Sequence, residues 1–209
     1  MSERKASGTA RAVAAMRAEY TEKGGPCHDP YARALAGEDG EALKAALAAS
    51  FPPMPFWLAC RAAHIDGRVR ALTRTIDQVV ILGAGLDTRA ARLAREGVRF
   101  FEVDLPASQA EKLEKVRAIE GYPVEAATYV SCDFEREDFL DRLVASGFDV
   151  DRPAFFVWEG VTYYLTEEAV RRTLERIASG AHPRSVLIFD FMSKRFVEGR
   201  SKSPSDDRT

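Results

Sequence analysis

The chain has few residues of the kinds that bind metals or form cross-links. Its 209 residues include three cysteines and three histidines. The cysteines are odd in number and lack metal-ligand spacing, which predicts reduced thiols in a cytoplasmic protein. Cys27 and His28 are adjacent, but a single such pair in a loop does not predict a zinc site. We therefore expect no metal.

The chain also lacks a long apolar run and a large excess of charge of one sign. Its apolar stretches fall well short of the roughly 20 residues that a membrane helix needs, and residues 1–20 lack the apolar centre of a signal peptide. A formal net charge of −2 and a pI near 6.0 give no electrostatic reason to expect nucleic acid as a partner. The length and the 46% hydrophobic content suit one α/β domain without a membrane partner.

The first 75 residues are rich in alanine and predict helices. Gly24-Gly25-Pro26 ends the first of them, and Asp29-Pro30 is a typical start for the second. The predicted helices cover residues 9–23, 29–37, 41–50 and 54–74. We expect residues 1–75 to form a helical cap in front of an α/β core.

From Asp77 onward, predicted strands alternate with predicted helices. The strands are expected at residues 78–83, 98–104, 127–133, 153–160 and 185–191. The helices are expected at residues 87–97, 108–121, 135–147 and 166–179. This alternation predicts an α/β fold with a doubly wound, mostly parallel sheet over residues 76–192. The charged residues 193–209 predict a disordered tail.

One short motif indicates a ligand site. The run VVIL, residues 79–82, has no polar face, so it suits a strand that is covered on both sides. Gly83 and Gly85 then suit a tight turn whose bare backbone can approach a ligand. A dinucleotide fingerprint, G-x-G-x-x-G, would place a third glycine where Thr88 stands. The motif alone leaves NAD and a nucleoside such as S-adenosylmethionine (SAM) open.

Acidic residues stand at the ends of the next three strands. Glu102 and Asp104 come at the end of the second strand, Asp133 at the end of the third and Glu159 at the end of the fourth. An acid about 20 residues after the glycines can hold ribose hydroxyls. Acids at three strand ends favour a ligand with positive charge, such as SAM, over an anionic pyrophosphate.

Four motifs, in order along the chain, resemble one family. LGAGLDTRAARL, FFEVDLP, SCDF and WEGVTYYL are similar to the leucine carboxyl methyltransferase-like family of class I SAM-dependent methyltransferases. TARAVAAMRAEY, DPYARALAG and RAAHIDGRV resemble the helical cap of that family. The resemblance covers about residues 9–191. It implies a Rossmann-like fold, SAM as cofactor and O-methylation of a small molecule, as in the secondary metabolism of bacteria.

The resemblance also implies residues that bind the amino-acid portion of SAM. Arg61 resembles the arginine that binds the carboxylate of SAM, through a guanidinium fork suited to that group. Gly83 and Gly85 let the backbone pass under the methionine portion. Glu159 resembles the acid that faces the amino group and the sulfonium. From the residues alone, Arg61 could equally be a surface arginine of a helix.

Three further residues are implied for the nucleoside portion. Asp104 resembles the acid that grips both ribose hydroxyls. Asp133 and the backbone of Phe134 resemble the pair that reads the amino group and a ring nitrogen of adenine. The two aspartates could instead cap the helices that follow them. The resemblance assigns no catalytic residue.

The acceptor and the activity stay open at this stage. A carboxylate acceptor is already ionised at neutral pH, whereas an alcohol needs a base, and no histidine stands near the strand ends. This favours a carboxylate or an acidic hydroxyl on a small molecule. A SAM-binding remnant without catalysis and an NAD-dependent oxidoreductase are the alternatives.

The end of the predicted sheet raises a separate expectation. Sheets of the class that the chain resembles normally continue with two more strands, which are apparently missing after residue 191. The fifth strand would then be an exposed apolar edge, which promotes association. We expect either a longer protein or a homo-oligomer formed through this edge.

Overall fold

The computed structural model describes residues 8–193, and they contain one sheet of five parallel strands. The strands are β1 (Gln78–Leu82), β2 (Arg99–Asp104), β3 (Ala127–Ser131), β4 (Ala154–Trp158) and β5 (Val186–Phe189). Their order in the sheet is β3-β2-β1-β4-β5. The predicted parallel α/β sheet is confirmed, with every predicted strand present and shortened by one to three residues.

Seven α-helices surround this sheet in the described residues. They are α1 (Gly8–Glu22), α2 (Ala32–Ser50), α3 (Met54–Leu72), α4 (Arg89–Leu93), α5 (Pro106–Arg117), α6 (Phe139–Ala145) and α7 (Glu167–Gly180). Two 3₁₀ turns occur at Val124–Ala126 and Thr162–Tyr164. The fourth predicted strand is thus followed by a 3₁₀ turn before its helix, and this turn carries part of the site described below.

Several predicted helices differ in their bounds from the observed ones. The two short helices expected before residue 51 are present as the two parts of α2, on either side of Gly37, whose φ of 63° and ψ of −176° are not helical. The helix expected over residues 87–97 ends at Leu93. The helix expected from residue 135 begins at Phe139, because the Asp138 carboxylate accepts hydrogen bonds from the first free backbone N–H groups, those of Leu140 and Asp141.

The central strands are apolar on both faces because helices cover both. All five residues of β1 and all five of β4 are buried. On one face, Leu82 and Phe156 lie in a core with residues of α6 and α7. On the other face, Ile81 and Val157 lie in a core with Ile65 of α3. Successive residues alternate between the faces, as they must in a strand.

The strand order places a crevice at the end of β1. The order reverses between β1 and β4, and ligands of such sheets bind outside the carboxyl ends of the strands at this point. Gly83 and Gly85 follow β1 directly, with φ of 66° and 48°, a region that glycine enters without steric cost. The turn is held by hydrogen bonds of 2.7 and 3.2 Å from the N–H groups of Gly83 and Ala84 to the Val103 carbonyl.

The first three helices do not form one separate layer. α1 and α2 pack on each other and on α5, through residues such as Ala14, Leu35 and Val116. α3 packs directly on the sheet through Ile65 and Val69. The division into a cap and a core at residue 75 stays a prediction. The predicted disordered tail lies outside the described residues, apart from Ser193, and among those described no helix is long and apolar enough to span a membrane.

Candidate functional site

A cavity of about 490 Å³ lies at the carboxyl ends of the central strands. Its volume is within the range of roughly 300–1,000 Å³ that is typical of small-molecule sites. All the residues that the sequence predicted for the cofactor line it, namely Arg61, Gly83, Gly85, Asp104, Asp133, Phe134 and Glu159. The fold therefore brings together residues from α3 and from the ends of β1, β2, β3 and β4.

Helix α1 forms one wall of the cavity, and the sequence did not predict which of its residues line it. Thr9, Ala10, Val13 and Arg17 line it, and their spacing of one, three and four residues places them along one face of a helix. Arg17 fixes this wall to the turn after β1, because its Nη2 donates to the Leu86 carbonyl at 2.8 Å. The sequence predicted this helix, but not the surface against which it packs.

Asp104 is held at the turn after β1 by backbone hydrogen bonds. Its Oδ2 accepts from the Gly85 N–H at 2.6 Å, and its Oδ1 accepts from the Leu105 N–H at 2.7 Å. Burial raises the pKa of Asp104, and these two hydrogen bonds oppose the shift. The residue at the start of α5 is Leu105, so Asp104 does not cap this helix through its side chain. Each oxygen keeps acceptor capacity for a ligand.

Asp133 and Phe134 present an acceptor and a donor side by side. The Asp133 carboxylate accepts from the Glu135 N–H at 3.0 Å and is about one third exposed. The alternative that Asp133 caps α6 is wrong, because Asp138 does so. Within residues 8–193, the Phe134 N–H has no hydrogen-bond partner. This pair matches the edge of an adenine ring, which offers an amino group and a ring nitrogen.

Glu159 lies between two arginines. Its Oε1 accepts from Arg61 Nε at 2.7 Å, and its Oε2 lies 2.7 Å from Arg89 Nη1. Burial works against ionisation of Glu159, but the charges of Arg89 and Arg61 hold its pKa below the usual range. Arg61 also donates from Nη1 to Asp190 Oδ2 at 2.6 Å. The Arg61 side chain is 12% exposed, so it is not the surface arginine of the alternative interpretation.

Arg89 connects this end of the cavity to the helices before the sheet. Its Nε donates to Asp66 of α3 at 2.8 Å, and its Nη1 pairs with Asp87. Burial opposes ionisation of Asp87, and the charge of Arg89 holds the pKa of Asp87 low. Asp87 and Arg89 thus form an ion pair at the first helix after β1.

Glu102 does not belong to the cavity, although the sequence placed it among the acids at the strand ends. It is 1% exposed and pairs with Lys112 of α5. It lies two residues before the end of β2, where α5 covers it.

By contrast, Asp190 was missed, although it follows an apolar strand in the same way as Glu159. Besides contacting Arg61, its Oδ1 accepts from the Gly160 N–H at 2.7 Å.

The charge of the cavity is negative even without Glu102. Carboxylates line it at Asp87, Asp104, Asp133, Glu135 and Glu159, and guanidinium groups at Arg17 and Arg61. This balance favours a cationic ligand over an anionic one of similar size. A parallel α/β sheet with a cavity at its switch point is typical of α/β proteins that bind a nucleoside or nucleotide.

Comparison with known proteins places the chain within this class. The family model for leucine carboxyl methyltransferase matches residues 9–178, which is more than half of the chain. The chain therefore belongs to the leucine carboxyl methyltransferase family, and the resemblance drawn from its motifs is confirmed.

Two relatives illustrate the similarity in sequence. A provisionally named SAM-dependent methyltransferase of Streptomyces coelicolor is 34% identical over 211 residues, covering 91% of this chain and 72% of the relative. Another, from Mycolicibacterium smegmatis, is 34% identical over 209 residues, covering 93% of this chain and 70% of the relative. This chain thus spans somewhat more than two thirds of the length of these relatives.

Two solved structures share the fold. A provisionally named methyltransferase of Thermobifida fusca superposes with a TM-score of 0.61 at 20% identity, covering 86% of this chain and 64% of the other. A DUF574 family protein of Streptomyces avermitilis gives 0.58 at 21% identity, covering 92% and 72%. At such identities these structures show the fold alone. They confirm the predicted class I methyltransferase architecture.

Proposed function

We propose that the chain binds SAM in the strand-end cavity and transfers its methyl group to an oxygen atom of a small molecule, with a carboxylate as the favoured acceptor. Membership in its family makes the chain a SAM-dependent methyltransferase. We propose in addition that the methyl group is transferred to oxygen and that the acceptor is a carboxylate. The observation that carries the proposal is the cavity that gathers all seven predicted residues at one end of the sheet.

The cavity offers a complementary group for each portion of SAM. Asp133 and the Phe134 N–H would read the adenine edge, and Asp104 would accept hydrogen bonds from the ribose hydroxyls. Glu159 would pair with the ammonium group, beside Arg61 for the carboxylate. The carboxylates that line the cavity would stabilise the positive sulfonium. The donor set therefore fits this cofactor from one end to the other.

The remaining groups favour an acceptor that is already ionised. When bound, SAM supplies a methyl group on a positive sulfur, so the protein chiefly has to hold the nucleophile in line. Among the described residues that line the cavity, none is a histidine. Glu159 and Asp87 are bound to arginines, and burial raises the pKa of Tyr163 to about 12. A carboxylate needs none of these groups as a base, since its free pKa is near 4.

The position of Thr88 argues against the alternative of an NAD-dependent oxidoreductase. Thr88 is 1% exposed, and its hydroxyl donates to Asp29 at 2.8 Å. A dinucleotide site needs a glycine here for close packing of the helix on the strand, and a pyrophosphate would meet a cavity of negative charge. Both observations support SAM as the ligand.

The proposal is tested by transfer of a labelled methyl group. The protein would be incubated with methyl-labelled SAM and separate panels of carboxylic acids, phenols and amines. We expect label in carboxylic acids, in a product that alkali hydrolyses with release of labelled methanol, because methyl esters are labile and methyl ethers are not. Label confined to amines, or to alkali-stable products, would contradict a carboxylate acceptor. Binding of SAM without transfer to any panel would support the non-catalytic alternative.

A further inference from the structure

We propose that the Tyr163 hydroxyl is a second hydrogen-bond donor, beside Arg61, to the carboxylate of the cofactor's amino-acid portion. The inference rests on the proposed function, because it requires SAM in this cavity. Tyr163 belongs to the 3₁₀ turn Thr162–Tyr164 and lines the cavity. The family resemblance assigned it no role.

Both edges of the Arg61 guanidinium already donate to a carboxylate of the protein. Arginine binds a carboxylate best through two parallel N–H groups on one edge of the guanidinium. One edge presents Nε, which donates to Glu159, and the other presents Nη1, which donates to Asp190. Trp57 lies against a face of the group, with its ring centre 5.1 Å from Arg61 Cζ. Only Nη2, which is common to both edges, has no donation to a described carboxylate. Neither edge therefore offers an unused pair of parallel N–H groups to a ligand carboxylate, so a second donor beside Arg61 would strengthen its binding.

Tyr163 and Arg61 lie close to each other at Gly160. Gly160 has φ 74° and no side chain, and the point where a Cβ would stand is 3.4 Å from Tyr163 Oη and 3.6 Å from Arg61 Nη2. The two groups thus meet over the bare backbone of Gly160. Its N–H is fixed by Asp190 at 2.7 Å. An oxygen placed against this glycine would have both donors within reach.

Tyr163 is protonated, as a hydrogen-bond donor must be. Burial raises the pKa of Tyr163 to about 12, although the charge of Arg61 opposes the shift. The phenol is therefore protonated at neutral pH. A neutral phenol carries one O–H donor, which can donate to an oxygen of a ligand.

The position of Glu159 next to Arg61 indicates where the carboxylate of the ligand would lie. In an α-amino acid, the ammonium and the carboxylate are attached to the same carbon atom. Glu159, proposed for the ammonium, contacts Arg61 at 2.7 Å. The carboxylate of the same ligand therefore falls beside Arg61, where Tyr163 completes the site. Tyr164, the next residue, is 49% exposed and less enclosed.

The test compares two ligands by calorimetry. SAM carries the amino-acid portion, and 5′-methylthioadenosine keeps the adenosine and the sulfur but lacks that portion. For Tyr163→Phe we expect the affinity for SAM to fall roughly 10- to 100-fold, as for loss of a hydrogen bond to a charged group. The affinity for 5′-methylthioadenosine should stay within about twofold, on the same argument. Tyr129→Phe is the matched control, because the Tyr129 hydroxyl bonds to the Val124 carbonyl at 3.2 Å outside the cavity.

Each outcome has a distinct meaning. A loss for SAM alone, absent in the Tyr129 control, supports the role of Tyr163. Unchanged SAM affinity, or an equal loss for both ligands, overturns this role and leaves the proposed function standing. Wild-type protein that does not bind SAM overturns both proposals. Binding of 5′-methylthioadenosine by Tyr163→Phe also shows that the variant is folded.

Discussion

The charged residues of the cavity act in groups rather than singly. Glu159 contacts Arg61 and Arg89, and Arg61 in turn contacts Asp190. The sequence could predict Asp104 and Glu159, because an acid directly after a buried strand has few structural explanations. It could not predict which arginine would face which acid, since these partners are up to 129 residues apart. Glu102 was wrongly grouped with the acids at the strand ends. The sequence alone does not show that it lies inside β2.

At the residue scale, Asp104 provides the sharpest test of cofactor binding. Asp104→Asn removes the charge and replaces one acceptor oxygen with a donor, so it should weaken SAM binding by about 1–3 kcal/mol through lost charge-assisted hydrogen bonds. Titration calorimetry measures the change. Asp141→Asn, on the exposed side of α6, is the control and should bind SAM as the wild type does. An affinity unchanged in Asp104→Asn would remove Asp104 from the site.

Secondary-structure elements were predictable where burial and caps left a local signal. β1 and β4 are covered on both faces, so they are uninterrupted apolar runs. The start of α7 was visible in Thr166, whose hydroxyl accepts from the Ala169 N–H at 3.2 Å. The start of α6 was misplaced, because Asp133 and Asp138 are both residues that can cap a helix. Only the fold decides between them.

The turn after β1 gives a prediction at the element scale. A Cβ on Gly83 would overlap the side chain of Val161, whereas a Cβ on Gly85 would have Ala10 as its nearest neighbour, at 3.7 Å across the cavity wall. Both substitutions to alanine carry a cost of about 1 kcal/mol for positive φ. Gly83→Ala should add about 1–3 kcal/mol for overpacking. Urea denaturation should therefore rank Gly83→Ala as the less stable variant.

Gly85→Ala is also expected to change the binding of the ligand. Gly85→Ala should fold and lose affinity for SAM, because its Cβ occupies space at the cavity wall where the backbone is bare. Calorimetry on the folded protein provides the measurement. If Gly85→Ala binds SAM like the wild type, the cofactor does not pass close to this turn.

At the scale of the whole molecule, buried polar contacts join the first helices to the turn that follows the first strand. Asp29, in the segment between α1 and α2, is 2% exposed and contacts Arg17 of α1 at 2.9 Å. It also accepts from Thr88, in the turn before α4, at 2.8 Å. Such connections arise from tertiary contacts, so the sequence predicted the helices before the sheet but not what fixes them to it. The proposed homo-oligomer through the β5 edge stays a prediction.

The pKa of Asp29 gives a pH-dependent prediction for this connection. Burial opposes its ionisation, but Arg17 and Arg92 hold the pKa of Asp29 below its ordinary value. A group whose pKa is lower in the folded state contributes stability above its unfolded pKa, near 4, and loses that contribution as the pH falls through the folded value. The wild type should therefore be more stable than Asp29→Asn at pH 7, with a difference that shrinks below about pH 4. Urea denaturation at several pH values measures it, and a difference that grows on acidification would contradict the sign.

The central claim, that this cavity binds a cationic nucleoside, is tested most directly by calorimetry of the wild-type protein with SAM and with NAD. We expect one SAM bound per chain and no heat from NAD. Saturable binding of NAD together with no response to SAM would contradict it.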